Sequence, residues 1–386
     1  MRDVVVIGGG PAGLMAARTL AQCGHDAVVM EEHPEIGAPV HCTGILGRDA
    51  FDELDLDTRV ILAVAHSARF HATAGNTATI ESDQVHAAIV DRRSFDVTLA
   101  RRAEADGAEI RTATRVSQLV MERGRVRVFT ATGETLTARA CVLACGAKYR
   151  FNQQLGLGLP KLFVQSAQLD VAFPPLEHIE VHLDHRRLPG GFAWVVPFRD
   201  RGQSRVKFGL LGGEHAGAVF DDFSRRVAAR VGVDPSPWPR PRLRILPLGP
   251  VRRTYANRLL AVGDAAGLVK PTTGGGIYYG LLSGRWAAET LDVALRRDQL
   301  DATRLRAYEL RWRERLGPEI RAGLAFRTIA ARLDDKAIST LIDLANIDGL
   351  VPTLKRTANF NWHRDATLAL LRNTEFRKVV LNSFWG

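Results

Sequence analysis

The chain contains 386 residues, of which 46% are hydrophobic and 24% are charged. This balance is ordinary for a globular protein with a sizeable core, and the length predicts two lobes plus an extension rather than a single domain. No apolar run reaches the roughly 18 residues that a membrane-spanning helix requires. Strand-like residues begin at Val4, which leaves no room for a secretory leader. We therefore expect a cytoplasmic protein without a spanning segment.

Lysine and arginine outnumber the acidic residues by 52 to 42, which gives a formal net charge of +10. The basic residues are scattered and no nucleic-acid motif accompanies them, so nucleic acid is not an expected partner. An anionic membrane surface or a phosphorylated substrate would suit this charge, and general solubility explains it equally well. The four cysteines, at Cys23, Cys42, Cys141 and Cys145, show neither zinc nor cluster spacing, so we expect no metal site.

Hydrophobic periodicity predicts a mixed succession of strands and helices. In chain order the predicted elements are a strand at 3–7, a helix after residue 13, a strand at 27–32, short strands within 60–80, a helix at 94–107, a β-meander over 116–138 leading into a strand at 140–147, further strands within 162–213, a Pro-rich linker at 234–244, a strand at 259–262, and helices from 277 onward with a break near 349–352.

This order predicts an α/β fold of the α+β kind with an insertion. We expect a Rossmann-like nucleotide-binding domain assembled from discontinuous segments, an inserted antiparallel-sheet substrate domain and a helical C-terminal region. The predicted boundaries are 1–58, 84–160 and 241–298 for the first, 59–83 and 161–240 for the second, and 299–386 for the third.

A glycine-rich turn between the first strand and the first helix predicts a dinucleotide site. The turn reads GGGPAG and fits G-x-G-x-x-G. In this motif Gly8 permits the tight turn, Gly10 lets the backbone approach a pyrophosphate, and Gly13 allows close helix–strand packing. Pro11 and Ala12 begin the helix, whose free N–H groups and dipole would face the phosphates.

An acidic residue at the end of the second strand is the expected partner of the adenosine ribose. Glu31 lies about 18 residues beyond Gly13, and a carboxylate at this spacing accepts hydrogen bonds from ribose hydroxyls. Glu32 is the competing candidate. Glu31 is preferred because it directly follows the apolar VVM run.

The turn alone does not distinguish FAD from NAD, but a second segment favours FAD. Residues 258–284 read RLLAVGDAAGLVKPTTGGGIYYGLLSG, a strand followed by a Gly-Asp turn and a glycine triplet that opens a helix. Gly263 and Asp264 are expected at the cofactor, since the carboxylate can accept from a ribityl hydroxyl. Backbone without side chains can face the flavin ring at the helix start. The residues expected there are Gly274, Gly275, Gly276 and Ile277.

Together these segments resemble the geranylgeranyl reductase family, within the broader group of FAD enzymes folded like p-hydroxybenzoate hydroxylase. The resemblance covers nearly the whole chain, including D-R-x-x-F-D at 91–96 and EEHPEIGAPVHCTG at 31–44, and specifies the flavin fold more strongly than the reaction. In related enzymes the arginine that matches Arg92 contacts FAD, which implies the same role here; a surface charge at a helix entry is the alternative. Val116 and Gly146 are also placed among the cofactor-binding residues.

The resemblance further implies a pocket for an isoprenoid chain. Residues 191–197, GFAWVVP, are similar to the aromatic-x-Trp-x-x-Pro element of prenyl reductases, which assigns Phe192, Trp194 and Pro197 to the substrate. Strand alternation places Phe192 and Trp194 on one face, where packing in the sheet core is the alternative to lining a pocket.

Cys42 matches a cysteine that lies beside the flavin in archaeal-type members of the family. This implies that it positions the alkene, or that it supplies or relays a proton. A small buried thiol beside the ring is an equally weighted alternative. His41 and Tyr278 are weaker candidates for the acid.

The implied reaction is reduction of carbon–carbon double bonds in an isoprenoid lipid or diphosphate, in which the flavin N5 delivers hydride to one carbon and a proton reaches the other. No second dinucleotide fingerprint is evident, so electrons must come from transiently bound NADPH or from a reduced redox protein. Two alternatives stay open. One is a flavin monooxygenase or halogenase acting on an aromatic or polyketide, although Phe192 stands where the halogenase element has its first tryptophan. The other is a cluster-free electron-transfer flavoprotein or quinone-linked dehydrogenase.

The basic, helical region after residue 300 mixes apolar and cationic residues. It is suited to closing over a lipid or touching the cytoplasmic face of a membrane, and packing against the FAD domain is the alternative.

Overall fold

The computed structural model describes residues 1–40, 42–81, 87–347 and 359–385. Within these ranges the chain forms a sheet of eight strands, a second sheet of seven and a small sheet of three, with helices packed around them. The mixed α/β class and the Rossmann-like domain built from discontinuous segments, both predicted from the sequence, are confirmed.

The first sheet has a parallel centre. Its strands in spatial order are β17 (Tyr255–Ala256), β18 (Leu259–Ala261), β11 (Thr135–Leu143), β1 (Arg2–Ile7), β2 (Ala27–Met30) and β8 (Glu109–Arg111), with β10 (Arg125–Thr130) and β9 (Val116–Glu122) added antiparallel to β11. Val4, Val5 and Val6 are fully buried, as expected for a strand covered on both faces. β11 continues to Leu143, so the third strand of the predicted meander and the strand predicted at 140–147 are one element.

Helices α1 (Pro11–Gln22), α3 (Arg92–Ala105) and α6 (Ile277–Arg296) belong to this domain, and α1 packs against both of the others. A Cβ at Gly284 would lie 2.2 Å from the carbonyl oxygen of Ala12, so a glycine is needed for α6 to approach α1 this closely. A Cβ at Gly280 would lie 3.5 Å from the Ala12 side chain. The packing therefore sets the start of α6 beside the start of α1.

The second sheet is antiparallel except where β13 runs parallel to β5. Its strands in spatial order are β16 (Arg242–Leu248), β12 (Leu162–Ala172), β15 (Gln203–Gly212), β14 (Phe192–Asp200), β13 (Ile179–Leu183), β5 (Ser67–Ala72) and β6 (Thr77–Glu81). Helix α5 (Ala216–Arg230) packs on β12 and β15, where Phe208 and Phe220 are buried in a shared apolar core.

β16 falls on the other side of the predicted domain limit at residue 241, and β4 pairs across the limit at residue 84. β16 begins inside the Pro-rich segment and pairs with β12, so it extends the second sheet beyond residue 241. β4 (Ile61–Ala65) pairs with β7 (Ala87–Val90), and β3 (Ile45–Gly47) pairs with the other edge of β7 to complete the three-stranded sheet. Backbone hydrogen bonding determines which sheet β16 and β4 each join, and the composition of the sequence does not reveal these partners.

The chain after α6 is helical in its described part. The helices are α7 (Ala302–Arg315), α8 (Gly317–Ala330), α9 (Asp335–Ile347), α10 (Arg364–Arg372) and α11 (Thr374–Trp385), to which the short α2 (Asp49–Glu53) and α4 (Arg150–Gln154) are added earlier in the chain. α9 packs on β5 and β6, and α10 packs on α8. The break predicted near 349–352 lies outside the described residues.

Candidate functional site

A cavity of about 1460 Å³ lies between the two large sheets. One side is built from residues that follow the carboxyl ends of β1, β2, β11 and β18, which is where open α/β sheets bind their ligands. The other side is built from β12, β14 and β16 of the second sheet. Ordinary small-molecule pockets measure roughly 300–1,000 Å³, so this cavity has room for a cofactor and a second ligand.

The glycine-rich turn lines one side of the cavity with backbone atoms that no side chain covers. Gly8 has a φ of +111°, a region that favours glycine. A Cβ at Gly13 would lie 2.1 Å from the Gly8 carbonyl oxygen, so α1 could not approach β1 this closely with a larger residue. A Cβ at Gly10 would meet no atom within 4 Å, and Gly10 lines the cavity. The turn thus presents open backbone to a ligand, as a pyrophosphate site requires.

The two neighbouring glutamates after β2 have different partners. The Glu31 carboxylate accepts hydrogen bonds from the Gly9 amide at 2.7 Å and the His33 amide at 2.9 Å, which fixes it over the glycine turn. Glu32 forms an ion pair with Lys148. Burial acts to raise the pKa of Glu32, but the Lys148 ammonium outweighs it and lowers that pKa. Glu31 is therefore the carboxylate held at the position preferred from the sequence.

The Gly-Asp turn after β18 is held against α6. The Gly263 amide donates to the buried Ser283 hydroxyl at 2.9 Å. A Cβ at Gly276 would lie 2.9 Å from Oδ1 of Asp264, so the glycine leaves room for this carboxylate. Burial raises the pKa of Asp264, and the charge of Arg92 opposes that rise. The start of α6 and the Asp264 side chain therefore share one wall of the cavity.

Arg92 holds the loop that carries Cys42. Its guanidinium lies 2.9 Å from the Asp96 carboxylate, and the Cys42 sulfur is close enough to contribute to the Arg92 pKa. Burial disfavours the charge of Arg92, but Asp96 and Cys42 together outweigh burial and raise the Arg92 pKa. A Cβ at Gly44 would lie 2.7 Å from the Val90 carbonyl oxygen, so the loop is pressed closely onto β7. Cys42 consequently lines the cavity beside a permanent cation.

An aromatic pair from β14 lines the opposite wall. The Phe192 and Trp194 ring centroids are 5.5 Å apart, and Val196 follows them on the same face. The Trp194 indole N–H donates to the Thr43 hydroxyl at 3.0 Å, which joins this wall to the Cys42 loop. A Cβ at Gly209 would lie 2.2 Å from the indole ring, so β15 makes room for it. This gives the cavity an apolar, aromatic side suited to a hydrocarbon chain.

Two sequence-predicted candidates for substrate binding and catalysis do not line the cavity in the described part of the chain. Pro197 is absent from the lining because strand alternation turns it to the face opposite Val196. Tyr278 is likewise absent from the lining: it is buried, and its hydroxyl donates to the Glu53 carboxylate. From these positions, neither Pro197 nor Tyr278 is placed to contact a ligand in the cavity. His41 lies outside the described residues.

Lys207 is a site residue that the sequence did not reveal. It is 4% exposed, and its ammonium donates to the carbonyl oxygens of Thr43 at 2.8 Å and Val90 at 3.2 Å. Burial lowers the pKa of Lys207. The residue ties β15 to the Cys42 loop from behind. In the sequence it interrupts the apolar second half of β15, VKFGLLG at 206–212, which is the feature that could have singled it out.

A second buried lysine, Lys270, lines the cavity in the loop before the glycine triplet. Its Nζ donates to the Phe360 carbonyl oxygen at 2.6 Å and lies 4.2 Å from the Phe360 ring centroid. Burial lowers the pKa of Lys270 to about 7, although Asp49 and Glu319 partly oppose this. Sequence reasoning missed it because Phe360 lies about ninety residues away in the chain.

His363 completes this part of the wall. Its Nδ1 lies 2.5 Å from the Thr272 hydroxyl, and its backbone amide donates to the Glu319 carboxylate at 2.8 Å. Burial lowers the pKa of His363 to about 3, and the charge of Lys270 contributes to this. The segment before α10 is thus fixed against the loop that precedes α6.

One His–Glu–His group among the described residues has ligand atoms close enough to hold a metal ion: His71, Glu180 and His182. The Arg230 guanidinium lies 2.7 Å from both Glu180 oxygens, and the two imidazole rings stack at 4.4 Å. None of the three lines the cavity; their neighbours on the strands do. The group therefore joins β5, β13 and α5 on the other face of the second sheet.

The residues around the cavity fit FAD. Open backbone at Gly10 and the anchored carboxylate of Glu31 suit its adenosine diphosphate half. Asp264, Arg92 and the glycines that open α6 form a polar wall for the ribityl and ring half. A family model described as FAD binding domain matches residues 1–315, so geometry and sequence similarity agree that FAD is the cofactor.

The chain is similar to named proteins over almost its full length. Digeranylgeranylglycerophospholipid reductase 1 from Methanopyrus kandleri is 30% identical over 368 residues, which cover 91% of this chain and 96% of that protein. A solved geranylgeranyl bacteriochlorophyll reductase-like structure from Thermoplasma acidophilum matches with a TM-score of 0.84 at 22% identity, and 99% of each chain is covered.

The fold extends to flavoproteins with other reactions. The structure of a probable FAD-dependent monooxygenase from Pseudomonas aeruginosa matches with a TM-score of 0.64 at 18% identity, covering 91% of this chain and 99% of that one. Likeness of fold alone therefore does not determine the reaction.

Proposed function

Because the chain belongs to the geranylgeranyl reductase family of FAD-dependent oxidoreductases, we propose that it saturates carbon–carbon double bonds of a geranylgeranyl-type lipid or prenyl diphosphate. The observation that carries this proposal is the shared cavity of about 1460 Å³, in which the FAD site faces an aromatic wall. A relative that is 30% identical over almost its full length is named for reduction of a digeranylgeranyl glycerophospholipid, which supports the same substrate class here.

Reduced FAD, when bound, supplies the hydride that reaches one alkene carbon. The protein must then position the chain, exclude water and provide a proton for the other carbon. Phe192, Trp194 and Val196 serve the first two tasks by offering an apolar surface to the isoprenoid. Cys42 serves as the contact that sets the alkene against the cofactor, since Arg92 and Lys207 fix its loop on both sides.

The electron donor is either transiently bound NADPH or a reduced redox protein, because no second dinucleotide motif follows the first in the sequence. The lipid is taken up by peripheral contact with the cytoplasmic face of a membrane, for which the net charge of +10 is suited. Among the described residues, no helix combines the length and apolarity that a bilayer crossing demands.

The proposal is tested by product analysis under anaerobic conditions. Dithionite-reduced holoenzyme is incubated separately with a digeranylgeranyl glycerophospholipid, geranylgeranyl diphosphate and a prenyl quinone, and the products are measured by mass spectrometry. We expect one of the first two to gain two hydrogens per reduced double bond without oxygen. A hydroxylated product that forms only with oxygen would indicate the monooxygenase alternative, and reduction of the quinone head group alone would indicate the dehydrogenase alternative.

A further inference from the structure

Lys270 is held rigidly in the loop that leads into α6. Its amide donates to the Gly275 carbonyl oxygen at 3.0 Å, and the Gly274 amide donates to the Lys270 carbonyl oxygen at 2.8 Å, so the loop closes on itself. A Cβ at Gly275 would lie 2.7 Å from Cε and 3.4 Å from Nζ of Lys270. The ammonium group therefore stands directly against the glycine triplet.

The same loop also touches the aromatic wall. Val269, next to Lys270, is buried in an apolar cluster against which Phe192 and Trp194 pack. A Cβ at Gly274 would lie 3.1 Å from the Leu246 side chain of β16. Lys270 thus stands where the wall for the flavin ring and the wall for the hydrocarbon chain meet.

The charges around Lys270 leave its ammonium weakly compensated. Asp49 from α2 and Glu319 from α8 attract it at longer range, and His363 from the segment before α10 contributes no negative charge. Its hydrogen-bond partner is the neutral carbonyl of Phe360. With 4% exposure, burial outweighs the two acids and brings the pKa of Lys270 to about 7.

Three other basic groups in or beside the cavity are less suited to give up a proton at neutral pH. The pKa of Arg92 is raised, so its guanidinium keeps its protons. Burial lowers the pKa of His363 to about 3, so its imidazole is already neutral. Lys207 is absent from the described lining of the cavity. Lys270 both lines the cavity and can alternate between its charged and neutral forms.

We propose that Lys270 is the proton donor of the reduction, a role that rests on the proposed function. One N–H bond of the ammonium breaks and one C–H bond forms at an alkene carbon, while the other carbon takes the hydride and both electrons from reduced FAD, which is oxidised. The lysine is left as a neutral amine and regains a proton from solvent water. Cys42 then acts as a positioning contact for the alkene.

The first test compares single-turnover reduction of a digeranylgeranyl glycerophospholipid by reduced holoenzyme across pH 5 to 9. Donation predicts that the wild-type rate falls about tenfold per pH unit above the Lys270 pKa of about 7. Lys270→Met and Lys270→Arg are both expected to be slower by about 100-fold or more, since general acids contribute about 10² to 10⁴ in rate and arginine holds its proton at neutral pH. Lys161→Met, an exposed lysine outside the cavity lining, is the matched control and keeps the wild-type rate and profile.

The second test does not depend on turnover. The ¹⁵N resonance of the Lys270 side chain is followed by NMR in oxidised holoenzyme and identified by its loss in Lys270→Met. It is expected to titrate near pH 7, and melting temperature and flavin absorbance check that each variant folds and holds FAD.

A Lys270→Arg enzyme that works at the wild-type rate, or a Lys270 resonance that titrates only near the usual lysine range, overturns the role of Lys270 and leaves the proposed function standing. A wild-type enzyme that reduces no prenyl lipid at any pH overturns the proposed function, and the role of Lys270 falls with it.

Discussion

Among single residues, Gly10 is a position where a substitution can affect cofactor binding without affecting folding. A Cβ at this position would meet no protein atom within 4 Å, yet it would project into the cavity. We predict that Gly10→Ala leaves the melting temperature of the apoprotein unchanged and weakens FAD binding by at least about tenfold, which corresponds to about 1.4 kcal/mol. Flavin fluorescence titration measures the affinity. Gly213→Ala, an exposed position with equal space for a Cβ, is the control and should bind FAD normally.

Cys42 provides a second test at this scale. Its thiol lines the cavity but lies outside the glycine-rich turn that would hold the pyrophosphate. We predict that Cys42→Ser and Cys42→Ala slow alkene reduction in single turnover while the dissociation constant of FAD stays within about twofold of the wild-type value. Cys23→Ser, which follows α1 away from the cavity, is the control. Unchanged turnover in both Cys42 variants would remove this residue from the reaction.

Some residues of the site could be identified from their spacing along the chain, and others only from contacts made in the folded protein. Gly8, Gly13 and Glu31 could be predicted because a local backbone geometry dictates their spacing along the chain. Lys207 and Lys270 could not, because their bonding partners, such as Val90 and Phe360, are brought to them only by the tertiary fold.

At the scale of elements, the contact between β14 and β15 determines the shape of the substrate wall. Gly209 on β15 lies opposite Trp194 on β14, and a Cβ there would lie 2.2 Å from the indole ring. We predict that Gly209→Ala displaces the indole and impairs reduction of the prenyl lipid, measured as a rise in KM, while FAD affinity is retained. A variant that loses FAD and substrate together would show instead that the two sheets fold as one unit around the cavity.

Strand alternation explains where the three predicted substrate residues on β14 lie. It correctly predicted that Phe192 and Trp194 share a face, and both line the cavity. The same rule turns Pro197 away, although its motif suggested a role in binding. β16 was harder to place, because its partner β12 lies about eighty residues earlier and the Pro-rich segment resembles a linker.

At the scale of the whole molecule, the C-terminal region contacts both the second sheet and the loop that leads into α6. α9 packs on β5 and β6 of the second sheet, while Phe360 and His363 bond the loop before α6. The sequence predicted helices here but could not decide between packing and closure over a lipid. The structure supports packing against both domains, and the cavity wall includes residues from this region.

Stability as a function of pH follows from this packing. Burial lowers the pKa of His363 to about 3, whereas an unfolded histidine titrates near about 6.5. Between these values the unfolded chain binds a proton that the folded chain does not, so acidification through this window lowers the free energy of unfolding. We predict that His363→Asn reduces the slope of stability against pH in urea titrations with saturating FAD. His215→Asn, at an exposed histidine, should keep the wild-type slope.

Reduction of an alkene by the bound flavin can be tested by comparing the amount of flavin oxidised with the number of double bonds saturated. Holoenzyme is reduced anaerobically with one pair of electrons per FAD, freed of excess reductant and mixed with a digeranylgeranyl glycerophospholipid. Flavin absorbance and lipid mass are then recorded together. We predict that the flavin is reoxidised without oxygen and that one double bond is saturated for each flavin oxidised. Flavin that stays reduced in the presence of the lipid, and is reoxidised only when oxygen is admitted, would contradict a prenyl reductase.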